Sequence, residues 1–129
     1  MPLERGNLIP HFAVSTADGG RFDYRDTWQR RNLLLITLPT TPVSQSEQQI
    51  LSEITRHEDS FLAFDTICVV TADPIRGVGA PAVIIADRWG EVYLAARGAS
   101  LAELPSAGAI LECLRYVAHV CPECEGESR

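Results

Sequence analysis

Lysine is absent from this chain: every basic side chain is arginine, a bias for which the sequence offers no functional account. Basic residues of any kind are few, 11 against 17 acidic ones, and the formal net charge is -6. Such a chain repels a phosphate backbone, and no arginine cluster or aromatic-interleaved basic stripe offsets the repulsion, so nucleic acid is not expected as a partner. Long apolar runs are missing too. The longest, residues 33–38, is far too short to cross a bilayer, and the opening "MPLERGNLIPHF" has no apolar core of signal-peptide length. The expectation is a cytoplasmic protein without a membrane partner. No repeat, low-complexity tract or Pro/Ser linker appears, so residues 1–129 read as one domain, with 121–129 a C-terminal tail containing the stretch Cys-Pro-Glu-Cys. In a reducing compartment the four cysteines, Cys68, Cys113, Cys121 and Cys124, do not by their even number imply disulfides.

What is present is an ordinary globular composition, 46% hydrophobic and 22% charged. The pattern begins with a short strand at 12–14 and a turn at "ADGG", whose Gly19 and Gly20 tolerate positive φ. "RFDYRDTW" suggests a second short strand and a turn of helix. "NLLLITL", residues 32–38, is nearly continuous apolar sequence, as expected of a strand covered on both faces. Residues 42–58 carry Val43, Ile50, Leu51 and Ile54 at helical spacing and predict one amphipathic helix. "FDTICVVTAD" and "AVIIAD" read as two more buried strands, and "DRWGEVYLA" as a hairpin turn with its following strand. Ile110, Leu111, Leu114, Val117 and Ala118 predict a helix over 106–120, with Ser106 as N-cap. The order predicts an α/β fold, a central mixed sheet with helices on its faces.

The joints between these elements carry a resemblance. Gly6, Pro10, Phe12, Asp18, Gly19 and Asp26 at the opening, the strand "NLLLITLP", and "APAVIIADRWGEV" with Pro81 before a strand ending in Asp are similar to the redoxins, the peroxiredoxin branch (alkyl hydroperoxide reductase type) of the thioredoxin-like superfamily. The resemblance implies a thioredoxin-like fold, a thiol-redox role of antioxidant or oxidoreductase type, and a cis bond before Pro81 beside the active-site loop. "TPVSQSE" resembles the segment around a peroxidatic cysteine, with Ser44 where that cysteine would stand. Matched instead to a Cys-x-x-Cys loop, Thr41 and Ser44 occupy both cysteine positions. The loop also departs in length, since Pro39 lies only two residues before Thr41, and the arginine of the peroxidase site has no counterpart at Ala80 or Pro81, Arg76 being the nearest. Pro39, Thr41, Ser44 and Pro81 therefore read as a vestigial active-site loop, with Ser44 expected at the first helical turn across a shallow groove from Pro81.

The substitution matters chemically. A cysteine at a helix N-terminus is activated because the dipole and free N–H groups favour thiolate. Serine has no such low-lying anion and no sulfenic acid or disulfide cycle, so standard peroxidase turnover is not expected. As a hydrolytic nucleophile Ser44 would need a base, and His11, His57 and His119 show no triad spacing; a helix N-cap is the plain reading.

The remaining chemistry lies in "HVCPECEGE". Cys121 and Cys124 are the catalytic candidates as a redox pair, yet they follow a helix C-terminus among Glu112, Glu123, Glu125 and Glu127, all of which disfavour thiolate. They could instead hold zinc. A single knuckle gives two of four ligands, His119 joins only if the helix has unwound, and a second subunit's knuckle would make the metal the staple of a homodimer. A tail with two free thiols is the third reading. Cys68 and Cys113 read as small buried apolar residues. The leading expectation is a redoxin acting on protein thiols through Cys121 and Cys124 with no cofactor. The alternatives are a catalytically silent module that holds a protein partner, and the zinc-stapled homodimer.

Overall fold

The computed structural model describes residues 2–39 and 44–119. Thr41 and the expected helix start at 42–43 lie outside the described residues, as do Cys121, Cys124 and the rest of 120–129. The chain runs β1 (Ala13–Ser15), β2 (Arg21–Asp23), a 3-10 turn (Tyr24–Asp26), β3 (Asn32–Thr37), α1 (Gln45–Thr55), α2 (Glu58–Ala63), β4 (Thr66–Thr71), β5 (Ala82–Ala86), β6 (Val92–Arg97), a second 3-10 turn (Leu101–Glu103) and α3 (Ala107–His119).

Four strands form the central sheet in the order β4-β3-β5-β6, with β3 parallel to β4 and antiparallel to β5, and β5 antiparallel to β6. β3 is internal and all six of its residues are buried, which is why its sequence shows no polar alternation. Leu34 and Ile36 face a core that also contains Ile54 of α1, Phe61 of α2 and Ile110, Leu114 and Val117 of α3. Leu33 and Leu35 face the opposite way, onto a second core with Leu3, Ile9, Val14 and Tyr24. Each such side chain stabilises the fold by about 1.5–3 kcal/mol through the area it removes from water. The three α-helices among the described residues therefore pack on one face. The antiparallel β1-β2 hairpin and the N-terminal segment cover the other.

The helix expected over 42–58 is α1, which ends at Thr55, and a second helix, α2, that the sequence pattern did not predict follows it. α1 is capped by Ser44 and stops at Arg56; His57, at φ -94 and ψ 15, leaves helical geometry, and α2 begins afresh. Length supplies the reason. One helix from Ser44 to Ala63 would run roughly 28 Å at 1.5 Å per residue, overshooting six-residue strands of about 20 Å, so the chain turns to bring Phe61 onto the sheet. His57 is half-buried at this junction. A bulge at Ile85/Ala86 places both Tyr93 and Leu94 of β6 toward the helical face. Ser106 caps α3 as expected, its Oγ accepting the Ala109 N–H at 3.2 Å.

Candidate functional site

The loop that would carry a redox thiol begins where β3 ends. Thr37 pairs with Ala82, so Leu38 and Pro39 leave the sheet beside Pro81, and the Ala80-Pro81 peptide is cis. The Thr37 hydroxyl donates to the Gly79 carbonyl at 2.5 Å, and Leu38 N–H donates to Thr71 O at 2.8 Å, fixing both borders of this end of the sheet. Pro81 is buried and Pro39 half-buried.

Ser44 is the N-cap of α1. Its Oγ accepts the Glu47 N–H at 3.2 Å, and Glu47 Oε1 returns the bond to Ser44 N–H at 3.3 Å, a complete capping box. The Ser44 hydroxyl also lies 3.1 Å from Glu47 Oε1 and donates to it, while Glu47 Oε2 accepts Leu101 N–H at 3.5 Å. The hydroxyl is thus held by the helix it caps, with a carboxylate rather than an imidazole at its proton. Among the described residues no imidazole hydrogen-bonds to it. Arg76 is exposed and makes no hydrogen bond or ion pair among the described residues. Arg97 points its guanidinium at carbonyls instead, Leu3 O at 2.8 Å and Gly77 O at 3.0 Å.

Both described thiols are half-buried rather than fully buried. Burial pushes Cys68 up to about 12, with the Glu58 carboxylate adding to the rise. Burial also raises Cys113, against a smaller opposing pull from Arg5. At neutral pH neither is a nucleophile. His119 remains helical as the last residue of α3, its Nδ1 donating to Arg115 O at 2.7 Å, so the helix has not unwound at this residue. Among the described residues no group of three or more His, Cys, Asp or Glu is arranged to hold a metal.

One feature escaped the sequence reading. A cleft of about 350 Å³ opens beside the outer edge of β4, between the turn after β1 and the α1/α2 junction, with Cys68 in its lining. Its residues come from three distant segments, and no local spacing marks them.

No protein-family model matches the sequence, and no curated protein matches it. The fold, by contrast, has many likenesses. The reduced 2-Cys peroxiredoxin of Plasmodium vivax superposes with a TM-score of 0.67 at 17% identity, covering 94% of this chain and 88% of that one. A thiol peroxidase from Chromobacterium violaceum gives 0.66 at 15% identity over 90% and 88%. A thioredoxin-family thiol:disulfide interchange protein from Chlorobium tepidum gives 0.63 at 12% over 89% and 98%. At such identities the likeness speaks for architecture alone: the chain has a thioredoxin-like fold of the kind found in peroxiredoxins and thiol:disulfide interchange proteins.

Proposed function

We propose that this chain is a redoxin whose thiol-redox chemistry has left the helix N-terminus and rests on Cys121 and Cys124, with protein thiols of the cytoplasm as its partners. The observation that carries the reading is the capping box: the position matched to a peroxidatic cysteine holds a serine tied to Glu47, so that loop has no sulfur to oxidise. The described thiols, Cys68 and Cys113, are both shifted away from thiolate, which leaves the Cys-Pro-Glu-Cys pair. In this reading one thiolate of the pair attacks a partner disulfide, the second displaces the mixed disulfide, and two electrons and two protons pass to the partner. Beyond a helix C-terminus and among glutamates the exchange is slow, which suits a long-lived disulfide better than a fast catalyst.

The rival reading, a catalytically silent module that holds a partner, draws on the same capping serine. A thiol count separates the two. In the Cys68→Ala, Cys113→Ala protein, a mild oxidant should remove two thiols from a DTNB assay run in denaturant, lower the mass by two hydrogens, and be reversed by reductant. Retention of both thiols after oxidation would favour the silent module. Release of zinc by a chelator with conversion of dimer to monomer would replace both readings by the metal-stapled homodimer.

A further inference from the structure

β4 is an edge strand, and its outer side is only half covered. Asn32 N–H donates to Asp65 O and Leu38 N–H to Thr71 O, so the odd-numbered residues of β4 turn their backbone groups toward β3. Thr66, Cys68 and Val70 therefore turn theirs outward. The segment after β1 covers the far end: Ala17 N–H donates to Val70 O at 2.7 Å, the Thr71 hydroxyl to Ser15 O at 2.6 Å, and Ser15 N–H to Asp73 Oδ2 at 2.7 Å. Beyond Ala17 the chain turns away through Asp18 and Gly19. Cys68 is left with an outward N–H and C=O that have no partner among the described residues, in a 350 Å³ cleft.

The cleft has two kinds of wall. Leu51, Phe61 and Val70 form an apolar floor under the α1/α2 junction, and the carboxylates of Asp18 and Glu58 stand exposed at the rim. Hydrogen bonds from the Thr16 hydroxyl and Gly20 N–H hold Asp18 below the usual carboxylate range and fix its orientation. Unpaired strand edges recruit strands, and natural proteins usually blunt them with lysine, proline or a bulge at the edge. β4, "TICVVT", has none of these. A second copy of this chain is a poor occupant, since it brings its own charge of -6 to an acidic rim.

We propose that this edge binds an extended segment of another polypeptide by strand addition, pairing with the backbone of Cys68, seating an apolar side chain on Leu51 and Phe61 and a basic side chain between Asp18 and Glu58. The strand hydrogen bonds supply affinity without sequence preference, the floor and the two carboxylates supply the preference, and the hairpin turn at Asp18 sets where the incoming strand must stop.

The test selects a displayed library of random seven-residue peptides on the intact protein, then follows the best synthetic peptide by backbone amide NMR. The expected result is enrichment of arginine or lysine flanked by apolar or β-branched residues, with the largest shifts at Cys68 and in the turn at 16–20. N-methylation of alternate amides should abolish binding in one phase of the alternation only. Asp18→Asn with Glu58→Gln, both exposed and isosteric, should weaken binding by about tenfold while the circular dichroism stays unchanged. Failure to enrich any peptide, selected peptides without a basic residue, binding indifferent to the two substitutions, or shifts confined to other surfaces would each overturn the proposal. So would concentration-dependent dimerisation that shifts the same amides, because the occupant would then be a second copy.

Discussion

Replacing Ser44 by cysteine would place a sulfur at the vacated position, and the structure sets two influences on it in opposition. The free N–H groups and dipole at the start of α1 favour thiolate. Glu47 opposes it, because its Oε1 lies 3.1 Å from the atom the sulfur would replace. Two unit charges at that separation repel by about 1.3 kcal/mol even at the dielectric constant of water, the relevant limit for so exposed a pair. That energy corresponds to about one pH unit. Ser44→Cys is therefore expected to titrate near the ordinary cysteine value of about 8.5, and Ser44→Cys with Glu47→Gln about one unit lower. The assay is the pH dependence of iodoacetamide labelling, read at the peptide containing position 44 by mass spectrometry. If the two variants titrate within about 0.3 units of each other, the carboxylate does not face the capping atom. If the double variant titrates at or above about 8.5, the helix N-terminus is not activating at all.

Three further outcomes concern Tyr24, Gly90 and Cys68. Tyr24 is fully buried and its hydroxyl has no partner among the described residues, so Tyr24→Phe should leave stability unchanged or raise it by up to roughly 1–2 kcal/mol in a denaturant titration; a loss of that size would mean the hydroxyl has a partner. Gly90 sits at φ +86, where a Cβ would lie 3.2 Å from the Tyr24 hydroxyl, so Gly90→Ala should cost roughly 1–3 kcal/mol, and an unchanged melting temperature would contradict the close approach. Cys68 titrates near 12 when folded and near 8.5 when unfolded, so the unfolded chain releases its proton first. Its contribution to stability is fully present below about 8.5 and declines as pH rises from there toward 12. Over pH 9 to 10.5 the wild-type protein should therefore lose stability more steeply than Cys68→Ala, and parallel curves would refute the burial of the thiol.

What could be read ahead of the structure follows physical lines. β3 and β5 are covered on both faces, so their apolar runs stand out, and α3 carries a helical period with a serine at its start. The serine-to-glutamate spacing of 44 and 47 is itself a capping-box signature, and the structure forms that box. The break between α1 and α2 was not legible, because Ile54 and Phe61 lie seven residues apart and share a face whether the helix is straight or bent. Nor was the side of the sheet that each helix covers, which depends on crossovers rather than on any one segment's pattern. The cleft beside β4 stayed hidden for the same reason, since Asp18, Glu58 and Cys68 become neighbours only through the turn at His57 and the placement of the β1-β2 hairpin.

The covering of one sheet face by the N-terminal segment has a consequence for synthesis. Leu3 N–H bonds to Gly77 O, Ile9 N–H to Gly90 O, Val92 N–H to Asn7 O and Ala17 N–H to Val70 O, so the first part of the chain is tied across strands made much later. Ile9 reaches its partner only when roughly 80 further residues have been added, about 4–16 s at ribosomal rates of roughly 5–20 residues per second. During that interval Leu3, Ile9, Val14 and Tyr24 have no β5 or β6 to rest on, and the nascent chain offers them to any holdase that binds exposed apolar segments.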